Sequence, residues 1–217
     1  VQDILENFKF RNQIPTLSKA DALGLLIEKF CNPEINFSSK PVLNGDGSIR
    51  HPAMDNHSMG TIFEELVRKF NEDNNEEAGE HWTPRDSVKL MARLIFQPIA
   101  KKIKPGSYEL YDGACGTGGM LTVAEETLLE LAGGEASGVK TYLYGQEINP
   151  ETFAICKADM LLKGEGENAE NIKGGAEYST LSNDAFPAKE FDFMLSNPPY
   201  GKSWKKDLET MCPAGQK

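Results

Sequence analysis

The stretch Tyr108–Leu121, YELYDGACGTGGML, decides the fold of this 217-residue chain. It opens with alternating apolar residues that end on Asp112, passes through a turn containing four glycines, and continues into the helix-favouring MLTVAEETLLEL. This order predicts a buried strand, a tight loop and the start of a helix. Glycine lets the backbone turn and lets a ligand approach the unpaired N–H groups of a helix N-terminus. We therefore interpret the turn as a cofactor loop.

The identity of the cofactor is narrowed by what the loop lacks. A phosphate-binding P-loop ends in Gly-Lys-Ser/Thr, whereas Gly118 is followed here by the letters GML. A dinucleotide fingerprint starting at Gly116 would need its third glycine at Leu121. Asp112, at the tip of the strand, suits a ligand that carries an amino group beside a carboxylate. S-adenosylmethionine fits this pattern, and an ordinary tight connection is the alternative.

Composition and charge exclude several classes of protein. The chain is 39% hydrophobic and 26% charged, which is typical of a soluble globular protein. No run approaches the roughly 18 apolar residues of a membrane span, and the N-terminus VQDILENFKF lacks a signal pattern. We therefore expect a cytoplasmic protein without a membrane partner. The cysteines lack metal-ligand and disulfide spacing, which predicts four free thiols and no metal site.

The net charge of −10 argues against a chain that grips nucleic acid alone over a wide surface. Any DNA contact would need a partner or a local basic patch. Two short basic runs are candidates, KKIK at Lys101–Lys104 and KSWKK at Lys202–Lys206. We interpret the first as solvated surface.

The N-terminal part predicts a small helical domain over residues 1–75. Helical spacing is present in Asp21–Phe30 and in Met59–Glu72, and the passage between them predicts a loop with at most a hairpin at NGDG. In the second helix the apolar stripe consists of Ile62, Phe63, Leu66, Val67 and Phe70. The acidic segment 71–80 is interpreted as a linker or a solvated helix end.

From His81 onward the chain alternates helix and strand, which predicts an α/β fold with a parallel, doubly wound sheet. Thr83 and Pro84 predict a capped helix start, with an apolar face made of Val88, Leu90, Met91, Leu94 and Ile95. Beyond Tyr108–Leu121, the predicted elements are a strand at Thr141–Gly145, a helix at Pro150–Leu162, and strands at Tyr178–Leu181 and Phe191–Ser196.

Polar residues follow each predicted strand. Glu147 comes just after the second strand, where nucleotide-binding α/β folds place an acid on ribose hydroxyls, although a surface glutamate is the alternative. Asn183 and Asp184 follow the third strand, where an acceptor could bind an adenine amine. An Asx turn or a helix cap explains those two residues equally well.

The tetrapeptide NPPY, Asn197–Tyr200, ends the last strand. Two prolines hold the backbone extended and leave the Pro198 carbonyl available as an acceptor. With the Asn197 side-chain oxygen, it can orient an amino group toward an incoming methyl, while Tyr200 offers a ring on which a flipped base stacks. A Pro-rich turn is the alternative. The strand before it and the cofactor loop upstream favour a catalytic motif.

Together these motifs resemble amino-group DNA methyltransferases of the γ arrangement, and more closely the modification (M) subunit of type I restriction-modification systems. The matching segments are GEHWTPRDSVKLM, DGACGTGGML, YGQEIN, NPPYG and the junction MGTIFEELVRKFNEDNNEEAGEH. The resemblance implies methyl transfer from S-adenosylmethionine to N6 of adenine in double-stranded DNA, with the adenine flipped out. It also implies a hetero-oligomer with a specificity (S) subunit and a restriction (R) subunit.

The resemblance implies roles for particular residues. The cofactor pocket would be formed by Glu80, His81, Trp82, Thr83, Pro84, Arg85, Asp112, Gly113, Gly116, Thr117, Gly118, Gly119, Glu147 and Asp184. The target adenine would be handled by Asn197, Pro198, Pro199 and Tyr200. The chain departs from the family pattern at Trp82, where Phe or Tyr is usual, and at SNDAF, where G-D-T-L is usual.

The chain ends at Lys217, shortly after NPPY, whereas the family continues with further strands. We therefore expect residues 76–217 to be a Rossmann-like S-adenosylmethionine-dependent methyltransferase domain that is incomplete at its C-terminus. Two other functions stay open. One is glutamine methylation of a protein, in which NPPY would orient an amide nitrogen, and the other is a scaffold subunit without activity.

Overall fold

The computed structural model describes residues 2–7, 10–54, 83–163 and 166–212, together with positions 58–59, 62, 65–66 and 69. Its helices and strands, in chain order, are α1 Gln2–Asn7, α2 Phe10–Lys19, α3 Leu23–Phe30, β1 Val42–Leu43, β2 Ile49–His51, α4 Arg85–Phe96, β3 Gly106–Asp112, α5 Gly119–Ala132, β4 Val139–Glu147, α6 Pro150–Leu162, α7 Gly166–Glu170, β5 Ile172–Gly174, β6 Phe193–Met194 and α8 Lys205–Met211. Short 3-10 helices lie at Gln97–Lys102 and Glu135–Ser137.

The larger sheet has four parallel strands in the order β5-β4-β3-β6. The β3–β4 ladder runs from Gly106 opposite Val139 to Asp112 opposite Gly145. On its other side, β3 pairs in parallel with the short strand β6. The predicted parallel α/β sheet is confirmed. Because all four strands run the same way, the carboxyl ends of β3, β4 and β6 meet at one edge.

The two faces of this sheet are covered differently. On one face, Leu110 and Leu143 pack into a core shared with α4, α5 and α6. Side chains alternate along a strand, so Tyr111 and Tyr144 point to the opposite face. There the ring of Phe191 stacks on Tyr111 with centroids 4.6 Å apart. A doubly wound sheet predicts helices on both faces, but in the described part of the chain an aromatic segment covers the second face.

Helix α4 confirms the predicted helix with a different apolar face. Its buried or partly buried side chains are Val88, Met91, Ala92, Ile95 and Phe96. The predicted face is wrong for Leu90 and Leu94, which are exposed. The buried positions, counted from Val88, are i, i+3, i+4, i+7 and i+8, which form one face of a helix. Leu90 and Leu94 lie on the opposite face.

The predicted helix cap at Thr83 is wrong as well. Pro84 is the residue before the first helical turn, and no side chain caps that turn. Instead, the hydroxyl oxygen of Thr83 accepts a hydrogen bond from Asn197 Nδ2 at 3.0 Å. Two ion pairs between exposed side chains join α4 to α5, Arg85 with Glu126 at 3.2 Å and Arg93 with Glu130 at 2.9 Å. The start of α4 is thus tied to neighbouring elements.

The third strand lies earlier than predicted, at Ile172–Gly174 instead of Tyr178–Leu181. Ile172 is buried in the core, and Gly174 leaves room for the Phe153 ring, which a Cβ there would approach to 2.1 Å. Tyr178 lies in a turn, in which its N–H donates to the Gly175 carbonyl. The predicted strand Phe191–Ser196 is confirmed in a shorter form, Phe193–Met194.

The N-terminal elements agree with the sequence pattern but carry no core of their own among the described residues. Helix α3 confirms the helix predicted within Asp21–Phe30, and β1 and β2 form the hairpin predicted at NGDG. No residue between 2 and 54 whose exposure is described is buried. Phe63, Val67, Phe70 and the proposed linker lie outside the described residues, and the domain boundary near residue 75 stays a prediction. None of the helices that the structure describes is long and apolar enough to cross a membrane.

Candidate active site

The predicted site residues gather where the strands end. Asp112 is the last residue of β3, Glu147 is the last residue of β4, and Asn197 follows β6 on the other side of β3. The loop after β3 closes onto β4, because the Gly116 N–H donates to Glu147 Oε2 at 2.9 Å. One edge of the sheet therefore brings together residues from three separate segments of the chain.

The glycines of the loop serve two different purposes. Gly118 has φ +87°, and a Cβ there would lie 2.8 Å from the Cys156 sulfur, so this position packs against the protein. Gly116 has φ +56°, and a Cβ there would meet nothing within 4 Å; the same open space surrounds Gly119. Backbone next to open space can be approached by a ligand. Thr117 lies between these glycines and is partly buried.

Asp112 is a buried acid, with only 1% of its surface exposed. Burial raises the pKa of its carboxyl to about 6, although hydrogen bonds from the Ala114 N–H and the Ser196 hydroxyl act in the opposite direction. The Ala114 N–H lies 2.9 Å from Oδ1. A carboxylate that has lost its water is stabilised by a positive charge. This environment therefore fits a ligand with an ammonium group.

Glu147 organises the loop in addition to facing the site. Its Oε1 accepts from the Asn149 N–H at 2.7 Å, while Oε2 accepts from Gly116. Asn149 in turn caps α6 by accepting from the N–H groups of Glu151 and Thr152. Glu147 therefore connects the glycine loop, the end of β4 and the start of α6.

Gln146 is a residue that the sequence reasoning missed. It is fully buried, and its Nε2 donates to the carbonyls of Tyr178 at 3.2 Å and Asn183 at 2.9 Å. Its Oε1 accepts from the Tyr111 hydroxyl at 3.0 Å and from the Ala185 N–H at 3.1 Å. Three of these four hydrogen bonds attach the segment 178–185 to the end of β4. The only signal in the sequence was a polar residue inside a buried strand.

The segment held by Gln146 carries Asp184. This side chain is exposed, and its Oδ1 accepts from the Phe186 N–H at 2.8 Å in an Asx turn. The same segment also touches the cofactor loop, where the Thr180 hydroxyl donates to the Gly113 carbonyl. A Cβ on Gly113 would lie 3.0 Å from the Thr180 methyl, which explains a glycine at that position.

The NPPY tetrapeptide is held loosely by comparison. All four of its residues are exposed, and Tyr200 is 95% exposed. The hydrogen bond from Asn197 Nδ2 to Thr83 turns the amide so that the nitrogen points at the residue preceding α4. Oδ1, the acceptor atom of this amide, takes no part in that bond. Ser196, just before the tetrapeptide, bonds Asp112 and so links the two halves of the site.

The segment upstream of α4 is described only in part. Glu80, His81 and Trp82 lie outside the described residues. Thr83 is partly buried and Pro84 is exposed, whereas the Arg85 side chain is turned toward Glu126 on α5. Thr83 thus connects this upstream segment to the tetrapeptide through its hydrogen bond with Asn197.

Cys115 lies inside the glycine loop and is buried. The neighbouring Cys156 thiol and burial raise the pKa of the Cys115 thiol well above its usual range. The thiolate is the reactive form of cysteine, and it is disfavoured here. All four cysteines are free, as predicted. This environment argues against covalent catalysis by Cys115.

Comparison with known proteins gives a consistent result. The profile of the N-6 DNA methylase family matches residues 54–212. The chain is 30% identical over 166 residues to the type I restriction enzyme MpnII methylase subunit of Mycoplasma pneumoniae, covering 70% of this chain and 27% of that protein. The chain thus spans about a quarter of the length of that relative.

Two solved structures of methyltransferases have a similar fold. The type I restriction-modification methyltransferase subunit from Streptococcus thermophilus matches with a TM-score of 0.53 and 25% identity, over 70% of this chain and 30% of that one. A putative class I S-adenosylmethionine-dependent methyltransferase from Listeria monocytogenes shares the fold, with a TM-score of 0.53 at 18% identity over 72% of this chain and 44% of that one. The family profile covers most of the chain, including the strand ends and the tetrapeptide described above, and the chain therefore belongs to the N-6 DNA methylase family.

Proposed function

We propose that this chain carries the cofactor-binding and catalytic residues of an adenine-specific DNA methyltransferase, acting as the modification subunit of a type I restriction-modification complex. One observation carries the proposal. The buried acid Asp112 and the exposed amide Asn197 stand at the ends of the adjacent strands β3 and β6. The Ser196 side chain interacts with Asp112, and Ser196 directly precedes Asn197 in the chain. A cofactor and an amino-group acceptor can therefore be held side by side.

The proposed cofactor is S-adenosylmethionine, which supplies an electrophilic methyl group. Asp112 binds the ammonium of its methionine part, and the N–H groups at the start of α5, near Gly119, face its carboxylate. Glu147 accepts from the ribose hydroxyls, and Asp184 lies toward the adenine. The pocket further includes, by family resemblance, Glu80 to Arg85 and the loop residues from Gly113 to Gly119.

The proposed target is the exocyclic N6 of a flipped adenine. Its lone pair is delocalised into the ring, so the site must orient and polarise this nitrogen. Asn197 Oδ1 accepts one N–H and the Pro198 carbonyl accepts the other, and both bonds strengthen as positive charge develops on the nitrogen. Pro199 keeps the backbone extended, and Tyr200 stacks on the base. The surplus proton leaves after methyl transfer.

The proposed assembly contains this methylase subunit, a specificity subunit and a restriction subunit around double-stranded DNA. The M. pneumoniae and S. thermophilus relatives, described as type I subunits, support this assembly. The strongly acidic charge of the chain also favours a partner that supplies most of the DNA contact. Since cellular DNA is the proposed substrate, the cytoplasm is the proposed compartment.

The test is methyl transfer from labelled cofactor to DNA by the full-length methylase subunit assembled with its specificity subunit. We expect N6-methyladenine in the digested DNA, and a rate at least about a hundredfold lower for Asn197→Ala. A label found on a glutamine amide of a protein would instead favour glutamine methylation. A correctly assembled complex that binds DNA and cofactor without transferring methyl would support the scaffold alternative.

A further inference from the structure

The segment after the catalytic tetrapeptide combines positive charge with exposed aromatic surface. We call Lys202–Lys206 the basic-aromatic segment. Trp204 is 55% exposed, and Lys205 and Lys206 are exposed as well. Large aromatic side chains usually bury much of their area in a folded chain. This tryptophan instead exposes more than half of its surface, seven residues after Asn197.

Two charges in this segment, those of Lys205 and Lys206, are not neutralised by an ion pair with a described residue, unlike the charges of Lys189 and Lys163. Lys189 is paired with Glu109, and Lys163 is paired with Asp159 at 2.7 Å. Within the described ranges, no ion pair involves Lys205 or Lys206. The chain as a whole carries a charge of −10, so this local excess of positive charge runs against its background.

The acid of the same helix turn is directed inward. Asp207 Oδ1 accepts from the Ser182 hydroxyl at 2.9 Å, and hydrogen bonds from Ser179 and Ser182 lower the pKa of this carboxyl. The start of α8 is thereby fixed to the segment that also contacts the cofactor loop. Residues two apart on a helix differ by about 200°. Lys205 therefore projects away from the face that Asp207 attaches.

We propose that the basic-aromatic segment is a DNA contact next to the flipped adenine. Lys205 and Lys206 bind backbone phosphates, and Trp204 packs on the nucleotide beside the extruded one. Phosphate contacts fix the register of a protein on DNA, and aromatic rings stack on unpaired bases without sequence preference. This proposal rests on the proposed function for the identity of the polymer, because DNA is the polyanion that must reach Asn197.

The chain offers a matched control at the other end of the sheet. Lys101 and Lys102 are an adjacent, exposed pair on the 3-10 helix that precedes β3. They lie at the amino ends of the strands, whereas NPPY lies at the carboxyl ends. A seven-residue strand such as β3 spans about 20 Å. The two lysine pairs thus differ in location but not in charge.

The experiment measures DNA binding by the full-length methylase subunit with its specificity subunit, by fluorescence anisotropy over a range of salt concentrations. The slope of log K against log salt is negative, and each lost phosphate contact lowers its magnitude by about 0.9. We expect the double variant Lys205→Gln/Lys206→Gln to lower the magnitude of this slope by about 2 and to weaken binding at least about tenfold near 0.1 M salt.

Trp204→Ala should weaken binding several-fold with the salt slope unchanged, and Trp204→Phe should restore most of the affinity. Lys101→Gln/Lys102→Gln should bind DNA like the wild type. All variants should keep the wild-type cofactor affinity, which verifies folding of the site. An unchanged slope and affinity for Lys205→Gln/Lys206→Gln, or an equal loss for the control pair, would overturn the proposal.

Two further outcomes separate this proposal from the proposed function. If the Lys205→Gln/Lys206→Gln variant failed to assemble with its specificity subunit, so that the loss of DNA binding followed from lost assembly, the segment would be a protein-docking surface and the proposal would be wrong. If the wild-type complex bound DNA with the expected slopes but transferred no methyl group, the proposed function would fail while the DNA contact stood.

Discussion

The proposed cofactor edge and the proposed target tetrapeptide lie at the ends of neighbouring strands but are built in opposite ways. Asp112 is 1% exposed and Gln146 is fully buried, and both have hydrogen-bond partners within the protein. Tyr200 is 95% exposed, and Asn197 is held by a hydrogen bond to the Thr83 hydroxyl. The first region is organised without a ligand, whereas the second is open to solvent, as the proposed DNA substrate requires.

This difference matches what each ligand must overcome. A small cofactor gains affinity from a pre-organised pocket, because little conformational entropy is lost on binding. A base that swings out of a duplex needs open access, and its nitrogen needs a few well-aimed acceptors in the transition state. Substitutions in the buried region should therefore change stability and cofactor affinity. Substitutions in the exposed region should change the reaction with DNA.

The largest effect on the folded state is expected at Gln146. Gln146→Leu removes four hydrogen bonds and leaves the buried Tyr111 hydroxyl and three partly buried backbone groups of the segment 178–185 without this partner. We expect the free energy of unfolding to fall by about 3–5 kcal/mol, measured by urea denaturation of the protein. Gln97→Leu, at an exposed glutamine, should change it by less than about 0.5 kcal/mol. Equal effects of the two variants would contradict a structural role for Gln146.

Asp112→Asn keeps the shape of the side chain but removes its charge. We expect cofactor binding to weaken by about 2–3 kcal/mol, measured by calorimetry, because a charge-assisted contact in a buried site is lost. The ligand-free protein should become more stable at pH 8, since burial of the charged form is unfavourable. If the Asp112→Asn variant bound the cofactor like the wild type, another group would have to bind the ammonium.

The pH dependence of the same residue gives an independent check. Burial raises the pKa of the Asp112 carboxyl to about 6, so this group is charged at pH 8 and protonated below pH 6. A raised folded-state pKa means that stability from this group is present at low pH and is lost as the pH rises through 6. The affinity for the cofactor should instead fall as the pH drops below 6, because the protonated carboxyl no longer attracts the ammonium group. The Asp112→Asn variant should show neither the change in stability nor the change in affinity over this range.

Substitutions of Tyr200 should change the binding of the flipped base without changing the affinity for the cofactor. Tyr200→Ala should weaken retention of the flipped base by roughly 1–2 kcal/mol, because stacking on the exposed ring is lost. Tyr200→Phe should be close to the wild type, since stacking needs the ring alone. The measurement is the fluorescence of 2-aminopurine placed at the target position. Unaltered base flipping in Tyr200→Ala would remove the stacking role.

The smallest effect is expected at the exposed ion pairs between α4 and α5. Arg93 lies 2.9 Å from Glu130, but both side chains are about half exposed. Arg93→Met should therefore lower the free energy of unfolding by less than about 0.5 kcal/mol in thermal or urea denaturation. A much larger loss would show that the pair anchors α4, and with it Thr83, more firmly than its exposure implies.

Local patterns in the sequence predicted the central part of the fold well. Strand β3, the glycine loop, strand β4 and helix α6 were each read from a few consecutive residues, such as the apolar run before Asp112. The parallel arrangement followed from the alternation of helix and strand. These features depend on neighbours in the chain, and a single sequence contains that information.

Features that depend on distant residues were missed or misplaced. Gln146 bonds atoms 32 to 39 positions further along the chain, and Thr83 bonds Asn197 across 114 positions. Strand β5 has three residues and ends on Gly174, so its propensity was weaker than that of the segment around Tyr178. The face of α4 was misjudged because Leu90 and Leu94 are apolar but exposed.

The most direct test of the two-region account measures two quantities on the same preparations of the assembled complex. These are the cofactor dissociation constant by calorimetry and the single-turnover methylation rate at saturating cofactor. We predict that Asn197→Ala lowers the rate at least about a hundredfold and leaves the dissociation constant within about twofold of the wild type. We predict that Asp112→Asn raises the dissociation constant by more than about tenfold and lowers the saturated rate by less than that. Asn197→Ala weakening cofactor binding as much as it slows methylation would contradict the separation of the two regions.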